Sequence, residues 1–175
     1  MILRRERPGD EAAIAAVHAA AFARPESPGD EAPEVELVTQ LRASDAWIPA
    51  LSIVALADDA IVGHVLCTRA TIADRYAVLG LGPLGVAPAH QRAGTGQALV
   101  HAVLAAADAL DEPLVVLLGS PDYYGRWFGF VPASAHGIEP PEEWYGAAFQ
   151  VRALTTATGT ERGKFAYAPA FAVVS

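Results

Sequence analysis

Gly94 and Gly96 stand in "QRAGTGQAL", immediately ahead of an apolar helical pattern. Glycine costs roughly 1 kcal/mol relative to alanine inside a helix, so two of them at a helix start need a reason. The first amides of a helix lack intrahelical acceptors and carry partial positive charge. Glycines leave those amides open to a phosphate, and Arg92 adds a cation beside them. No Lys-Ser/Thr pair follows, so this is not the loop of a nucleoside triphosphatase and no magnesium is implied. The competing reading is a helix start whose glycines serve only packing.

A second glycine set, Gly80, Gly82 and Gly85 in "GLGPLG", matches the dinucleotide fingerprint in letters alone. That fingerprint must open a helix, whereas Pro83 and Pro88 block regular continuation here. A bulged strand, approached closely by a ligand or another backbone, fits better.

The remaining reactive side chains exclude more than they offer. Cys67, the lone cysteine, lies in the apolar run "IVGHVLCTR" and reads as a buried structural thiol; one cysteine makes neither an intrachain disulfide nor a cysteine-rich metal site. His18, His64, His90, His101 and His136 show no metal spacing, so no metal is expected. His18 and His101 fall within helices and read as surface or partly buried residues. No Ser-His-Asp or Cys-His arrangement is visible. The net charge of −8 argues against nucleic acid, which rewards clustered basic surface. No apolar run approaches the roughly 20 residues that span a bilayer, and "MILRRERPGD" lacks a signal-peptide core. A cytoplasmic protein away from membranes is expected.

The elements that must position these residues follow from periodicity. The 175 residues, 53% hydrophobic, suit one domain, residues 1–175, with a sizeable core. A strand in "ILRRERPGD" leads through Asp10, a plausible N-cap, into the helix "EAAIAAVHAAAF", with Ile14, Val17 and Phe22 facing the core. A Pro/Gly-rich loop precedes a second helix, "EVELVTQLRAS". "LSIVAL" and "IVGHVLCTR" form a hairpin about "ADDA", and "YAVLGLGPLGV" is a third strand. Leu99, Val103, Ala106 and Leu110 make one helical stripe. "PLVVLL" is a buried strand; "SPDYYGRWFGF" is a short helix or turn. "FVPA", a loop over residues 134–148, "FQVRAL" and "GKFAYAP" follow. Antiparallel hairpins with one strand–helix–strand crossover make an α+β layout.

"LGPLGVAPAHQRAGTGQALV" resembles the central motif of the GNAT superfamily of N-acetyltransferases, Q/R-x-x-G-x-G/A after a strand, with Gln91, Gly94 and Gly96 at its fixed positions. "RRERPGDEAAIAAVHAAAF" is similar to the family's first strand and helix. "GSPDYYGRWFGF" with "FQVRAL" looks most like the YhbS-like branch. The resemblance implies a single GNAT-like domain whose mixed central sheet, flanked by helices, opens a V-shaped slot between central strands. It implies acetyl-CoA as co-substrate and an amine of a small molecule or protein as acceptor. The diphosphate would rest on Gln91, Arg92, Ala93, Gly94, Thr95, Gly96 and Gln97. Leu84, Gly85 and Val86 would pair with the pantetheine arm, and one of their amides would donate to the oxyanion.

The catalytic acid implied by the resemblance is a tyrosine of the late segment. This chain carries one residue more there than the usual Tyr-x-Arg-Phe-Gly-Phe. Counted from "SPDYYGR" the acid is Tyr124; counted back from Gly129 the position is Gly125. Tyr124 is taken as the acid, with Tyr123 the alternative. Glu31, Glu34 and Glu36 border the acceptor loop, and none of them stands out as the base. Acceptor walls are expected from the loop Glu26 to Glu34, from Trp47, and from Trp144 and Tyr145, which could instead serve a homodimer interface. The rival reading is a non-catalytic acyl-CoA-binding sensor or scaffold.

Overall fold

Turn chemistry and alternation lay down the first half of the sheet. The computed structural model describes residues 1–26 and 29–174. Ser27 and Pro28, part of the expected acceptor loop, lie outside the described residues, as does Ser175. Strand β1 (Ile2–Arg5) leads to helices α1 (Glu11–Ala21) and α2 (Pro33–Arg42). Strands β2 (Ser52–Ala57) and β3 (Ala60–Ile72) then form a hairpin. Its two turn residues, Asp58 and Asp59, both have positive φ, the backbone that a tight hairpin between twisted strands requires. Strand β4 (Tyr76–Val86) pairs antiparallel with β3.

Helix α3 (Thr95–Ala109) crosses to β5 (Leu114–Leu118), which runs parallel to β4. Helix α4 (Pro121–Phe128) follows, and then β6 (Val131–Pro132), β7 (Ile138–Glu139), β8 (Phe149–Ala153) and β9 (Gly163–Ala166). The main path of the sheet is β1-β2-β3-β4-β5-β8-β6, with β9 pairing β3 and β7. This is the expected α+β layout, and the crossover through α3 is the expected one, while β7 and β9 form a second parallel pair.

Period-2 alternation along β3 divides the core. Val65 and Cys67 point to one face, where Leu99, Val100 and Val103 of α3 cover them. Leu66 points to the other face, against Leu37 and Leu41 of α2, while Ile14 of α1 packs on Val38 and Val54. Cys67 is buried as expected, and burial pushes its thiol pKa up.

Four sequence expectations change. Asp10 occupies the N-cap position of α1 but makes no capping bond. Its carboxylate is taken by the Arg4 guanidinium, at 2.6 and 3.0 Å, and by the Arg7 amide at 2.8 Å. Leu110 lies one residue beyond α3 and is exposed, so the buried stripe ends at Ala107. Phe22 is half-buried, because α1 ends at Ala21 and releases it toward the slot. The span 134–148 is not a plain loop: it contains β7, which pairs in parallel with β9.

The slot arises where β4 and β5 part. They share only two register pairs, Leu79 with Val115 and Gly80 with Val116. β4 then stays with β3 to Val86, while β5 pairs along its whole length with β8. The β3–β4 ladder shifts register between Val65 and Cys67, opposite Gly82 and Pro83. Gly82 has φ of 144° there. The "GLGPLG" stretch is therefore the bulged strand that its prolines implied.

Candidate active site

Backbone geometry builds the first half of the site. Gly94 is the N-cap of α3 with φ of 87°, a left-handed conformation that glycine adopts without steric cost. The chain can then turn from the short helical turn Pro88–His90 into α3. The first α3-type bond runs from the Ala98 amide to the Gly94 carbonyl. The amides ahead of it carry no intrahelical bond and form the positive end of the helix dipole. Gly96 lies close to its neighbours: a Cβ there would stand 3.1 Å from the Tyr123 hydroxyl and 3.7 Å from Val86, so the tyrosine tip would have to shift by a few tenths of an ångström. The Gln91 side chain donates to the Val86 carbonyl at 2.9 Å, tying the loop to the end of β4.

These residues enclose a cavity of about 370 Å³. Leu84, Val86, Gln91, Arg92, Gly94, Gly96 and Gln97 line it, with Ala21, Phe22 and Tyr123 opposite. Three other expected residues are not part of its wall. Ala93 is exposed in the turn, and Thr95 is buried with its methyl toward Gly63. Gly85 is buried against α1, where a Cβ would lie 2.7 Å from Nδ1 of His18.

A second cavity, of about 340 Å³, opens on the far side of Leu84. Phe22 and Leu84 are walls of both. Tyr124, Trp144 and Tyr145 line the second, as do Tyr167 and Phe171, aromatics that sequence reading left without a role. Phe171 belongs to a helical turn, Pro169–Val174, that packs on α2.

Of the three glutamates, only Glu34 faces this cavity. Its Oε2 is buried and has no hydrogen-bond partner among the described residues. Glu31 is exposed, and Glu36 accepts a bond from Gln40 at 2.7 Å. Trp47 is a correction: it packs with Leu37 and Leu41 under the Arg42 guanidinium, outside both cavities.

The two tyrosines part company. Tyr123 lines the first cavity, with its hydroxyl toward Gly96. Tyr124 lines the second, its ring lying on Gly119 at the end of β5, where no side chain could fit. Burial pushes the Tyr124 hydroxyl pKa up, and Tyr123 beside it adds to the effect. Tyr123, less enclosed, is raised by burial alone.

Behind β4 lies a polar network that sequence reading missed. His18 and His64 are both 0% exposed. His18 Nε2 and His64 Nδ1 are 2.8 Å apart, and His64 Nε2 is 2.8 Å from the Ser52 hydroxyl. Ser52 donates to Glu6, which is held by Arg42 at 2.7 Å. Burial, with Arg42 nearby, lowers His18 to about 4, and burial lowers His64 well below its usual range. Both rings are thus neutral near pH 7, which fixes the proton pattern. Because the Ser52 hydroxyl donates its hydrogen bond to Glu6, His64 Nε2–H donates to Ser52, and His18 Nε2–H donates to His64. His18 Nδ1 is left as an acceptor with no partner, under Gly85. The signal was its position: His18 follows Ile14 by four and precedes Phe22 by four, on the apolar stripe of α1.

Among the described residues no group of three or more His, Cys, Asp or Glu side chains could hold a metal ion. No helix there is long and apolar enough to cross a membrane.

A parallel crossover, a splayed strand pair and a glycine-opened helix start at the split make up the architecture of an acyl-CoA-dependent transferase. A family profile described as "Acetyltransferase (GNAT) domain" matches residues 3–133. The chain belongs to this family of N-acetyltransferases. It is 33% identical over 138 residues to the uncharacterized N-acetyltransferase YjhQ of Escherichia coli, covering 74% of this chain and 75% of that protein. Its fold matches the E. coli GNAT N-acetyltransferase YhbS, solved in complex with CoA, with a TM-score of 0.86 and 26% identity. That match covers 98% of this chain and 91% of the other. A Brucella melitensis GNAT acetyltransferase solved with acetyl-CoA matches with a TM-score of 0.76 and 33% identity, over 97% of each chain.

Proposed function

We propose that this protein transfers an acetyl group from acetyl-CoA to a primary amine by direct attack of the amine on the thioester. The observation that carries the reading is the meeting of two cavities at Leu84 and Phe22. One has the dimensions and backbone amides for a diphosphate and its arm; the other can hold an acceptor. YhbS was solved with CoA and the Brucella protein with acetyl-CoA, which supports the same ligand here and a cytoplasmic setting.

Each residue then has a task. The amides from Ala93 to Gln97 hold the diphosphate at the positive end of α3. The free edge of Leu84 to Val86 pairs with the pantetheine arm and donates to the developing oxyanion. Glu34 takes one proton from the bound ammonium, which frees the nitrogen lone pair for attack, and the second proton, lost as the nitrogen bonds to the acyl carbon, leaves to water. The carbon–sulfur bond breaks, and Tyr124 donates a proton to the leaving sulfur. Its raised pKa keeps Tyr124 protonated at neutral pH and makes it a weaker acid, so its effect belongs at the low end of the usual range.

The test is acetyl-CoA-dependent release of free thiol with a panel of amines, followed by mass analysis of the products. Products heavier by one acetyl group support the transferase. Tight acetyl-CoA binding with no thiol release from any amine would favour the non-catalytic sensor.

A further inference from the structure

The second cavity has one charge and many rings. Phe22, Tyr124, Trp144, Tyr145, Tyr167 and Phe171 supply aromatic wall, and the other lining residues, Glu34 apart, are aliphatic or glycine. Among the described residues Glu34 is the only acidic side chain that lines it, and no lysine, arginine or histidine does. Burial raises the hydroxyl pKa of Tyr145 and Tyr167, so both stay neutral at pH 7. The Glu34 oxygen that faces no donor is buried. No cation among the described residues pairs with the Glu34 carboxylate, so the acidic side chain in this wall is open to a cation that arrives from outside the chain.

We propose that the acceptor is a monocationic arylalkylamine, whose ammonium is held by Glu34 and whose ring is enclosed by the aromatic walls. The inference rests on the acetyl-transfer reading and names the substrate class of that same site. An ammonium meets the Glu34 carboxylate with a charge-assisted bond. Aromatic faces attract the same cation and bury an apolar body. The volume of about 340 Å³ is roughly twice the ~150 Å³ that accommodates a benzene ring. One ring and a short amine-bearing chain fill it.

The same walls reject close relatives. An amino acid would bring its carboxylate into a cavity with no cation to meet it, beside Glu34. A diamine or an aminoglycoside would bury further ammonium groups with no acidic partner. Uncompensated charge in such surroundings is costly, so discrimination is large.

The experiment measures binding by calorimetry to protein saturated with CoA, which separates it from turnover. The probes are 2-phenylethylamine, its neutral isostere 2-phenylethanol, phenylalanine and putrescine. The expected order places 2-phenylethylamine at least tenfold tighter than each of the other three. Glu34→Gln should weaken 2-phenylethylamine roughly 10- to 100-fold, as loss of a charged hydrogen bond implies, while 2-phenylethanol binds as before. The comparison of amine with alcohol in the unaltered protein stands even if that variant does not fold. Equal binding of amine and alcohol, or of amine and phenylalanine, would overturn the assignment. Binding of 2-phenylethylamine in the expected order without acetyl transfer would keep the substrate class and sink the transferase reading. Transfer to other amines with no 2-phenylethylamine binding would do the reverse.

Discussion

The two cavities that meet at Leu84 are made in different ways. The first is built from backbone: a free strand edge, the amides of one helix start, and two glycines within three residues of each other. The second is built from side chains that arrive from α1, α2, α4, the turn at Trp144 and Tyr145, and the last residues of the chain. A diphosphate is the same in every acyl-CoA, so on the proposed reading main-chain donors suffice to hold it. Acceptors differ, and interchangeable side chains on separate segments can define one without disturbing the scaffold.

The largest effect that separates the halves should come from Gly96→Asp. Like charges about 4 Å apart near a protein surface repel by about 4 kcal/mol before screening. Acetyl-CoA affinity by calorimetry should fall on the order of 100-fold or more, with circular dichroism unchanged, because an acidic residue suits the first turn of a helix. Affinity for a bound amine should be far less affected. An equal loss on both sides would mean that the halves are not separable.

The backing of the first cavity can be tested by pH. His18 is lowered to about 4 in the fold, and His64 is lowered as well, against about 6.5 for a free histidine. The unfolded chain therefore binds more protons between these values, and stability falls as pH drops from about 6.5 toward 4. His18 alone accounts for about 3 kcal/mol of that loss. Chemical denaturation across this range should show the decline, and a His18→Gln variant should show a shallower one. A flat profile in the unaltered protein would remove the neutral histidine pair from behind β4.

At the junction, Tyr124→Phe should lower turnover by about 100-fold, the low end for a general acid, and leave acetyl-CoA affinity intact. Tyr123→Phe should instead change acetyl-CoA affinity slightly, because its hydroxyl faces Gly96. A reversed pattern would exchange the two tyrosines. The smallest effect belongs to the rim. Trp144, 74% exposed, should raise KM for the amine about two- to fivefold when changed to alanine, as an exposed cation–aromatic contact implies. Trp47→Leu should lower the thermal midpoint and leave that KM alone.

The same contrast decides what could be read from the sequence. The donor half was legible because its requirements are local. Gly94, Gly96 and the apolar stripe from Leu99 lie within one turn-and-helix segment, and their spacing carries the meaning. The bulge at Gly82 and Pro83 was legible for the same reason. Which amides of Ala93, Thr95 and Gly85 face a ligand was not legible, since spacing alone does not tell which side of a turn or strand is open. The acceptor half was only partly legible. Trp144, Tyr145 and the Glu26–Glu34 loop were expected at it, but Tyr167 and Phe171 look like any core aromatics until the chain is folded, and Trp47 looks like a wall until its packing under Arg42 is known. Glu34 differs from Glu31 and Glu36 only in which way α2 turns it. Asp10 was a cap by position, yet Arg4, six residues away, holds its carboxylate.

The most direct test is a crystal structure of this protein with acetyl-CoA. The diphosphate oxygens should lie about 3 Å from amides between Ala93 and Gln97, and the acetyl group should lie against Leu84, between Phe22 and Tyr124. A diphosphate bound elsewhere, with those amides facing only water, would contradict the division of the site into a donor cavity and an acceptor cavity that meet at Leu84.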